Sequence, residues 1–587
     1  MKEQLKHLAI IHRNWREDPV GFVYRVFNRR AGSVSRGALA VVDRLLSVRP
    51  SSRTAALSAL VLEESETLTF RLNEALERAP HGKRAQYFAD VALHAQLPGL
   101  SGEFAARIGG RQGTARTLAN LDFYQGRLEE AIERLASAET PHRRMLERMR
   151  GERAVFHDWV PRLRAVSDYR PAEATVLHLL TNSVPYTSTG YTYRSQSLLG
   201  AQAAEGWDVH AVTRRGYPES IGVLDAPESE TVDGVVYHRL PAAAVPPGLD
   251  ARLQREAEEL LSLALRLRPA VLHTTTHFVN GLVVRAVAEA LGIPWVYEVR
   301  GQLADTWASK HGTTATSTER YQRFVAREAE VQRSAAAVFT LGRAMRERII
   351  RSGTPEERVF ILPNGVGSAY LEPPLEHAKA KAAVHLDSDR LHIGTVSSLV
   401  DYEGLDDLLT AYAQIAAERR DVELVIVGDG AAMPRLRAHA ISLGLEPAAI
   451  FRGRVPAREA PLWHRALDVF VVPRKDFQVT RTVTPLKPVE AMASERPVVV
   501  ADLPALTELV RPGESGLAVP PEDPAALATA LRQLLEDKEL RMSMGRHGRR
   551  EVLTHRTWPR NAQISIEAYQ LAMSGRSTVV TVEEETA

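Results

Sequence analysis

The 587-residue chain contains no cysteine, which excludes disulfides, thiolate nucleophiles and Cys-ligated zinc or iron–sulfur sites. It also lacks any apolar run approaching the ~20 residues that span a bilayer. Met1-Lys2-Glu3-Gln4 opens no signal peptide. The expected location is therefore cytoplasmic, with any membrane contact peripheral, at the inner face. A strong charge of either sign is missing too. Lys+Arg at 74 against Asp+Glu at 72 leave +2, so no global field recruits nucleic acid. The spacing Gly-x-Gly-x-x-Gly is absent from the first strand–turn–helix unit, which leaves an NAD site unsupported. No Asp-x-Asp pair and no His cluster stand beside the cationic loop described below, so no metal is expected there.

What is present is an ordinary globular composition, 44% hydrophobic and 25% charged, at a length that implies several domains. Residues 1–165 carry helical periodicity and almost no strand signal. Within them, residues 118–135 set apolar positions at helical spacing on both sides of Gly126. That is similar to half of a tetratricopeptide hairpin; a small bundle packed on the rest of the chain is an equal reading. From residue 174 the pattern changes. Short apolar runs at 175–180, 208–212, 235–238, 293–299 and 336–340 alternate with helical stretches, which predicts parallel α/β units. A second series begins at 391 and continues through runs at 421–427, 450–455 and 467–472. The helix predicted over 251–267 is rich in charge and is expected to face outward.

The most informative stretch runs from Leu467 to Ala493. Its apolar start, ended by Pro473, predicts a buried parallel strand. Thr484 and Pro485 predict the N-cap and first residue of the next helix. The loop between carries Arg474, Lys475 and Arg481, so a helix N-terminus among cations offers a place for a phosphate. Lys487 and Glu490, three residues apart, share a helix face. Lys487 could meet a diphosphate while Glu490 accepts hydrogen bonds from ribose. A surface Lys–Glu pair would have the same spacing.

Pro485-Leu486-Lys487-Pro488-Val489-Glu490-Ala491-Met492-Ala493, followed by Arg496-Pro497-Val498-Val499-Val500-Ala501, resembles the donor-site signature of family-4 retaining glycosyltransferases with the GT-B fold. Further resemblances, in order, cover roughly residues 174–570. They imply an α/β fold of two Rossmann-like domains facing a cleft: an acceptor-side domain at 174–368 and a nucleotide-sugar donor domain at 391–556. An all-α domain at 1–165 precedes them, residues 368–390 form a linker, a helix at 557–573 crosses back to the first, and the tail at 574–587 is expected to be disordered.

The resemblance also assigns residues. Glu490 matches the glutamate that binds the donor ribose. The glutamate that usually contacts the transferred sugar, eight residues earlier, is replaced by Thr482, with Arg481 beside it. Arg and Lys often stand where this chain has Ser398 and Glu403, so the positive charge is expected to come instead from Arg474 and Lys487. Gly394, Ser397, Arg454, Thr484, Pro485 and Leu486 complete the expected donor set. On the acceptor side, Gly190, Tyr191 and Arg194 lie at the first strand–helix turn. The segments His277–Gly281 and Tyr297-Glu298-Val299-Arg300-Gly301 offer His277, Glu298 and Arg300. His277, Arg474 and Lys487 are the expected catalytic groups.

The implied activity is transfer of a hexose-type sugar from a UDP- or GDP-sugar to a saccharide or lipid-linked acceptor, with retention and no cofactor, in the synthesis of a cell-surface polysaccharide or glycoconjugate. The helical domain is the expected place for a protein partner. A sugar-nucleotide epimerase of the same fold and a degenerate scaffold that binds sugar nucleotides are the alternatives.

Overall fold

Runs of β-branched and apolar residues become two buried sheets, and the chain folds three successive regions around them. The coordinates, a computed structural model, describe residues 53–575 except 62–64, 110, 140–141, 224, 243–244 and 313. The helical pattern before residue 53 and the expected disordered tail beyond 575 lie outside the described residues.

Seven helices make up the described part of the first region: α1 (Arg53–Val61), α2 (Ser65–Glu77), α3 (Gly82–His94), α4 (Pro98–Ala105), α5 (Arg111–Tyr124), α6 (Leu128–Ala136) and α7 (Arg143–His157). The α5–α6 hairpin turns at Gly126, whose φ is +84°. A Cβ there would also strike Trp307 and Thr318 of the next region, so the turn requires glycine twice over.

The first α/β domain has an eight-stranded sheet in the order β3-β4-β2-β1-β5-β6-β7-β8. Its strands are β1 (Thr175–Leu180), β2 (Asp208–Thr213), β3 (Ser229–Val232), β4 (Val235–His238), β5 (Val271–Thr275), β6 (Trp295–Val299), β7 (Ala337–Thr340) and β8 (Val359–Ile361). All pairings are parallel except β3 with β4. Of its helices, α8 (Gly190–Ala204), α9 (Leu249–Leu267), α10 (Phe278–Leu291), α11 (Leu303–Ala308), α12 (Glu319–Ser334) and α13 (Arg343–Arg351) matter below. Helix α9 is amphipathic rather than wholly outward: Leu253, Ala257, Leu260 and Leu263 are buried.

The second sheet is entirely parallel and ordered β11-β10-β9-β12-β13-β14. It comprises β9 (Leu391–Val396), β10 (Val422–Val427), β11 (Phe451–Gly453), β12 (Val469–Val472), β13 (Val498–Ala501) and β14 (Gly516–Val519). Helices α14 (Leu405–Glu418), α15 (Gln478–Thr482), α16 (Lys487–Ala493) and α17 (Pro504–Thr507) flank its carboxyl edge. The segment expected as a linker is packed: Tyr370, Ala380, Val384 and Leu386 are buried in the second domain's core. The last described helix, α18 (Trp558–Ser574), returns to the first domain, where Ala568 and Tyr569 are buried in its core.

The helical region docks on the first domain through several contacts, one of them a shared carboxylate. Glu319, at the start of α12, accepts from Arg153 Nε at 2.8 Å, from the Glu129 amide at 2.9 Å and lies 2.7 Å from His157 Nε2. Phe156 meets Phe278 and Phe324 edge-on at 5.3 and 5.7 Å. The two α/β domains touch as well. Asn364 Nδ2 donates to the Thr484 carbonyl at 3.1 Å, and the Arg343 amide at the head of α13 donates to Glu508.

Candidate active site

In a parallel sheet, ligands collect at the carboxyl ends of strands where the strand order reverses. In the second sheet that point lies between β9 and β12. The loops leaving β9, β10 and β12 pack backbone to backbone there. A Cβ on Gly428 (φ +137°) would strike the Ser397 carbonyl, and one on Gly404 (φ +68°) would strike the Pro473 carbonyl. Both positions therefore require glycine. Gly394, inside β9, is pressed against the Val425 carbonyl in the same way, so its place is in sheet packing.

This close packing presses four side chains together. Glu403, 4% exposed, ends a turn after β9. Arg474, from the end of β12, grips it with Nε at 3.2 Å and Nη2 at 3.0 Å. Lys487 Nζ lies 2.7 Å from the same carboxylate and donates to Ser397 Oγ at 2.7 Å. Arg474 also donates to the Val483 carbonyl at 3.1 Å. Burial alone would raise the Glu403 carboxyl, but Arg474 and then Lys487 outweigh it and hold the group at about 2. Burial lowers Lys487 to about 8, against the pull of Glu403. The cluster thus carries two cations and one anion at neutral pH. The Lys487 ammonium, whose side chain is 18% exposed, is the more accessible of the two cations.

One turn along, burial pushes Glu490 up to about 8, while Lys487 and a Tyr370 hydrogen bond oppose the rise. At neutral pH it is a carboxylic acid that can both donate and accept. Tyr370 OH lies 3.0 Å from His464 Nδ1, and burial keeps that imidazole neutral, its pKa lowered to about 4.

The helix bearing Lys487 does not begin at Pro485. It is a seven-residue helix whose N-cap position is Leu486, with Pro488 in its first turn. Had Pro485 been the first helical residue, Pro488 would have had to supply the first intrahelical N–H, which it lacks, and its ring would have met the Thr484 carbonyl. That carbonyl is taken by Asn364 instead. Thr484 Oγ1 caps nothing and is buried without a partner. The phosphate-binding helix end expected from Thr484 and Pro485 is corrected accordingly: side-chain cations, more than helix amides, provide the positive charge.

The other expected donor residues lie apart from the cluster's contacts. Arg481 is half-exposed and paired in parallel with Asp476 at 2.5 Å. Lys475 is paired with Asp406 at 2.5 Å. The Thr482 hydroxyl is spent on the Gln478 carbonyl at 2.9 Å. Arg454 is exposed on the loop after β11.

On the first domain, Gly190 opens α8 behind the Thr189–Thr192 capping box, and Tyr191 is 53% exposed. Arg194, Glu298 and Arg300 converge, but in the interior. Glu298 is fully buried and lies 2.6 Å from Arg194 Nη2 and 2.5 Å from Arg300 Nη2. The remaining guanidinium donors go to the Leu362, Pro363 and Tyr191 carbonyls, Asn364 Oδ1 and Ser195 Oγ. Arg194 also lies over Trp558, 5.4 Å from the ring centroid. Burial would raise the Glu298 carboxyl; Arg300 and Arg194 reverse that and hold it far below its usual range. His277 is the N-cap of α10, its Nδ1 accepting from the Val279 amide at 3.4 Å. Burial, then Arg320, lowers its pKa to about 3. A neutral ring with one nitrogen engaged as a cap holds the strand–helix turn at the first sheet's own reversal point.

Sequence reasoning treated Glu403 only as a missing cation. Its position immediately before Gly404, in the loop that leaves β9, was the available signal.

The fold is that of the GT-B glycosyltransferases, two α/β domains built on mainly parallel sheets. It aligns with a sucrose-phosphate synthase from Thermosynechococcus elongatus at a TM-score of 0.57 and 22% identity, over 68% of this chain and 100% of that one. It also aligns with Anabaena HepE, solved in complex with UDP, at a TM-score of 0.52 and 17% identity, over 68% and 99%.

Residues 390–537 match the family model "Glycosyl transferases group 1", and residues 189–365 match "Glycosyl transferase 4-like domain". Among curated relatives, the chain is 31% identical over 227 residues to a GDP-mannose-dependent alpha-(1-6)-phosphatidylinositol monomannoside mannosyltransferase of Mycolicibacterium smegmatis, covering 38% of this chain and 59% of that protein. It is 25% identical over 242 residues to an uncharacterized glycosyltransferase of Methanocaldococcus jannaschii, covering 40% and 60%. The chain spans about three fifths of the length of these relatives. Among the described residues, no helix is long and apolar enough to cross a membrane.

Proposed function

We propose that the chain is a retaining glycosyltransferase that moves a hexose-type sugar from a UDP- or GDP-sugar to an acceptor hydroxyl on a saccharide or lipid-linked molecule. The observation that carries this reading is the cluster of Ser397, Glu403, Arg474 and Lys487 at the reversal point of the second sheet, with Glu490 one turn beyond Lys487. Departure of a nucleoside diphosphate places negative charge on its phosphate as the sugar C1–O bond breaks. A fixed ammonium at that place stabilises the charge without a reorganisation cost. Lys487 fills this role, Arg474 backs it, and Glu490 meets the ribose. Tyr191, exposed at the head of α8 on the first domain, meets the acceptor in this reading, and His277 holds the turn after β5. The docked helical region and peripheral contact with the inner membrane face would bring a partner or a lipid-linked acceptor to the cleft.

The test is a thermal-shift screen of UDP, GDP and their sugars on the full chain, followed by turnover with saccharide acceptors. A binder at about 100 times its Kd adds ~2.7 kcal/mol to stability. Absence of any stabilising nucleotide overturns the reading. One observation favours a non-catalytic sugar-nucleotide-binding scaffold: Glu403 already engages both cations. Nucleotide binding with no turnover in any acceptor would establish that alternative, and donor consumption without acceptor would point to an epimerase.

A further inference from the structure

We propose that Glu403 is a positioning residue of the donor site, holding the Lys487 ammonium and the Arg474 guanidinium side by side and aimed at the place a nucleoside diphosphate occupies. This rests on the glycosyltransferase reading of the same site and names a part of it that the sequence counted as lost. Two cations that close repel one another, and a mobile lysine on a short helix would turn to water. The buried carboxylate removes both problems. It takes two parallel bonds from Arg474, at 3.2 and 3.0 Å, and lies 2.7 Å from Lys487 Nζ. It is itself fixed, because Gly404 behind it is pressed on the Pro473 carbonyl, one residue before Arg474. The turn carrying the anion and the strand end carrying the cation are therefore one rigid unit. Lys487 spends its second bond on Ser397 Oγ, a neutral hydroxyl that a phosphate oxygen can replace without stranding a charge.

The groups that act on Lys487 are Glu403 and Glu490, which raise its pKa, and Arg474, which lowers it. Tyr402 faces Glu403 and Arg474; Tyr370 faces Glu490 and contacts His464. Burial brings the Lys487 pKa down to about 8, so its contribution to anion binding declines as pH rises through that value. Removing the Glu403 charge takes away a raising influence and moves that limit to lower pH.

The experiment titrates UDP and GDP against the full chain from pH 6 to 9.5 by calorimetry, for wild type, Glu403→Gln and Lys487→Ala, with kcat and donor KM measured in parallel. In Glu403→Gln we expect the alkaline fall in nucleotide affinity to move down by about one pH unit. We expect kcat to drop about tenfold or more, with affinity at pH 6.5 equal or tighter. An unmoved alkaline limb with kcat within twofold of wild type overturns the assignment of Glu403. Lys487→Ala separates the two levels: if it binds nucleotide as wild type does, the donor-site reading itself falls. If Glu403→Gln does not fold, Glu403→Asp replaces it. Asp keeps the charge but withdraws it by one methylene, so the pH limb should stay while kcat falls, and an unchanged kcat overturns the proposal.

Discussion

Each α/β domain places one buried glutamate between two cations at the carboxyl end of its sheet, and the two clusters differ in how fully those cations are engaged. Around Glu298 every guanidinium nitrogen of Arg194 and Arg300 has a protein acceptor, and the carboxylate is fully buried. Around Glu403 each guanidinium nitrogen of Arg474 makes one bond, and Lys487 divides its ammonium between Glu403 and a hydroxyl and remains partly exposed. The composition is nearly the same. What separates the two is how fully neighbouring protein acceptors occupy the cations, and the proposed donor site is the less fully occupied. Besides Glu298, Arg194 gives three bonds to 362–364, where the chain leaves the first domain, and lies over Trp558, where it returns. The Glu298 cluster therefore joins the first domain to both crossings.

The comparison breaks most visibly at Glu298. Glu298→Gln leaves two buried guanidinium groups facing a neutral amide, and loss of a buried partner costs about 3–5 kcal/mol. Chemical denaturation should show that loss, with the remaining folded enzyme retaining its donor affinity. A fall in affinity with unchanged stability would place Glu298 in the ligand site instead. Lys487→Ala should do the reverse. It is expected to cost about 2–4 kcal/mol of transition-state stabilisation, roughly 30- to 1000-fold in kcat/KM, with a smaller change in melting than Glu298→Gln. Unchanged turnover would refute the placement of Lys487 at the leaving group.

Much of this architecture is legible in the sequence. The second sheet's strands announce themselves as runs such as Val469–Val472 and Val498–Ala501, too apolar to lie anywhere but between layers. Alternation of such runs with helices then fixes a parallel sheet. The start of α16 was not legible, because Pro485 and Pro488 both suit a first turn and only tertiary contact, Asn364 on the Thr484 carbonyl, separates them. Nor was the burial of the first domain's triad. Glu298 and Arg300, two apart at a strand end, point to one side, and nothing local says whether that side meets water or Arg194. Glu403 was hidden for a different reason. A carboxylate where relatives carry a cation reads as loss until Arg474, seventy residues away, is seen to close on it.

The clusters also differ in acid. The Glu403 carboxyl is depressed to about 2 from the usual 4.5 by Arg474 and Lys487. A depressed carboxyl contributes stability that is fully present above its unfolded value and lost as pH falls through the folded one. The window is therefore pH 4.5 to 2, and the contribution is on the order of 3 kcal/mol. Denaturation curves of Glu403→Gln should fall less steeply with pH across that window than those of wild type. The Glu298 contribution, held further below the usual range, should persist to lower pH in both. Equal slopes for variant and wild type would mean that Glu403 gains nothing from its two cations in the folded state.

The smallest expected effect belongs to Arg481, the cation that sequence placed in the donor set and that the structure pairs with Asp476 in solvent. A half-exposed pair of this kind contributes little to folding, so Arg481→Ala should leave the melting temperature unchanged. If Arg481 stays with Asp476 during turnover, the donor KM should stay within about threefold of wild type, since an exposed charge already paired with its neighbour is screened by salt. A tenfold rise in donor KM, absent from Asp476→Asn, would mean that the guanidinium leaves its partner and joins Lys487 when the donor binds. The proposed donor site would then gather a third cation in the bound state, one more than the Glu298 cluster holds.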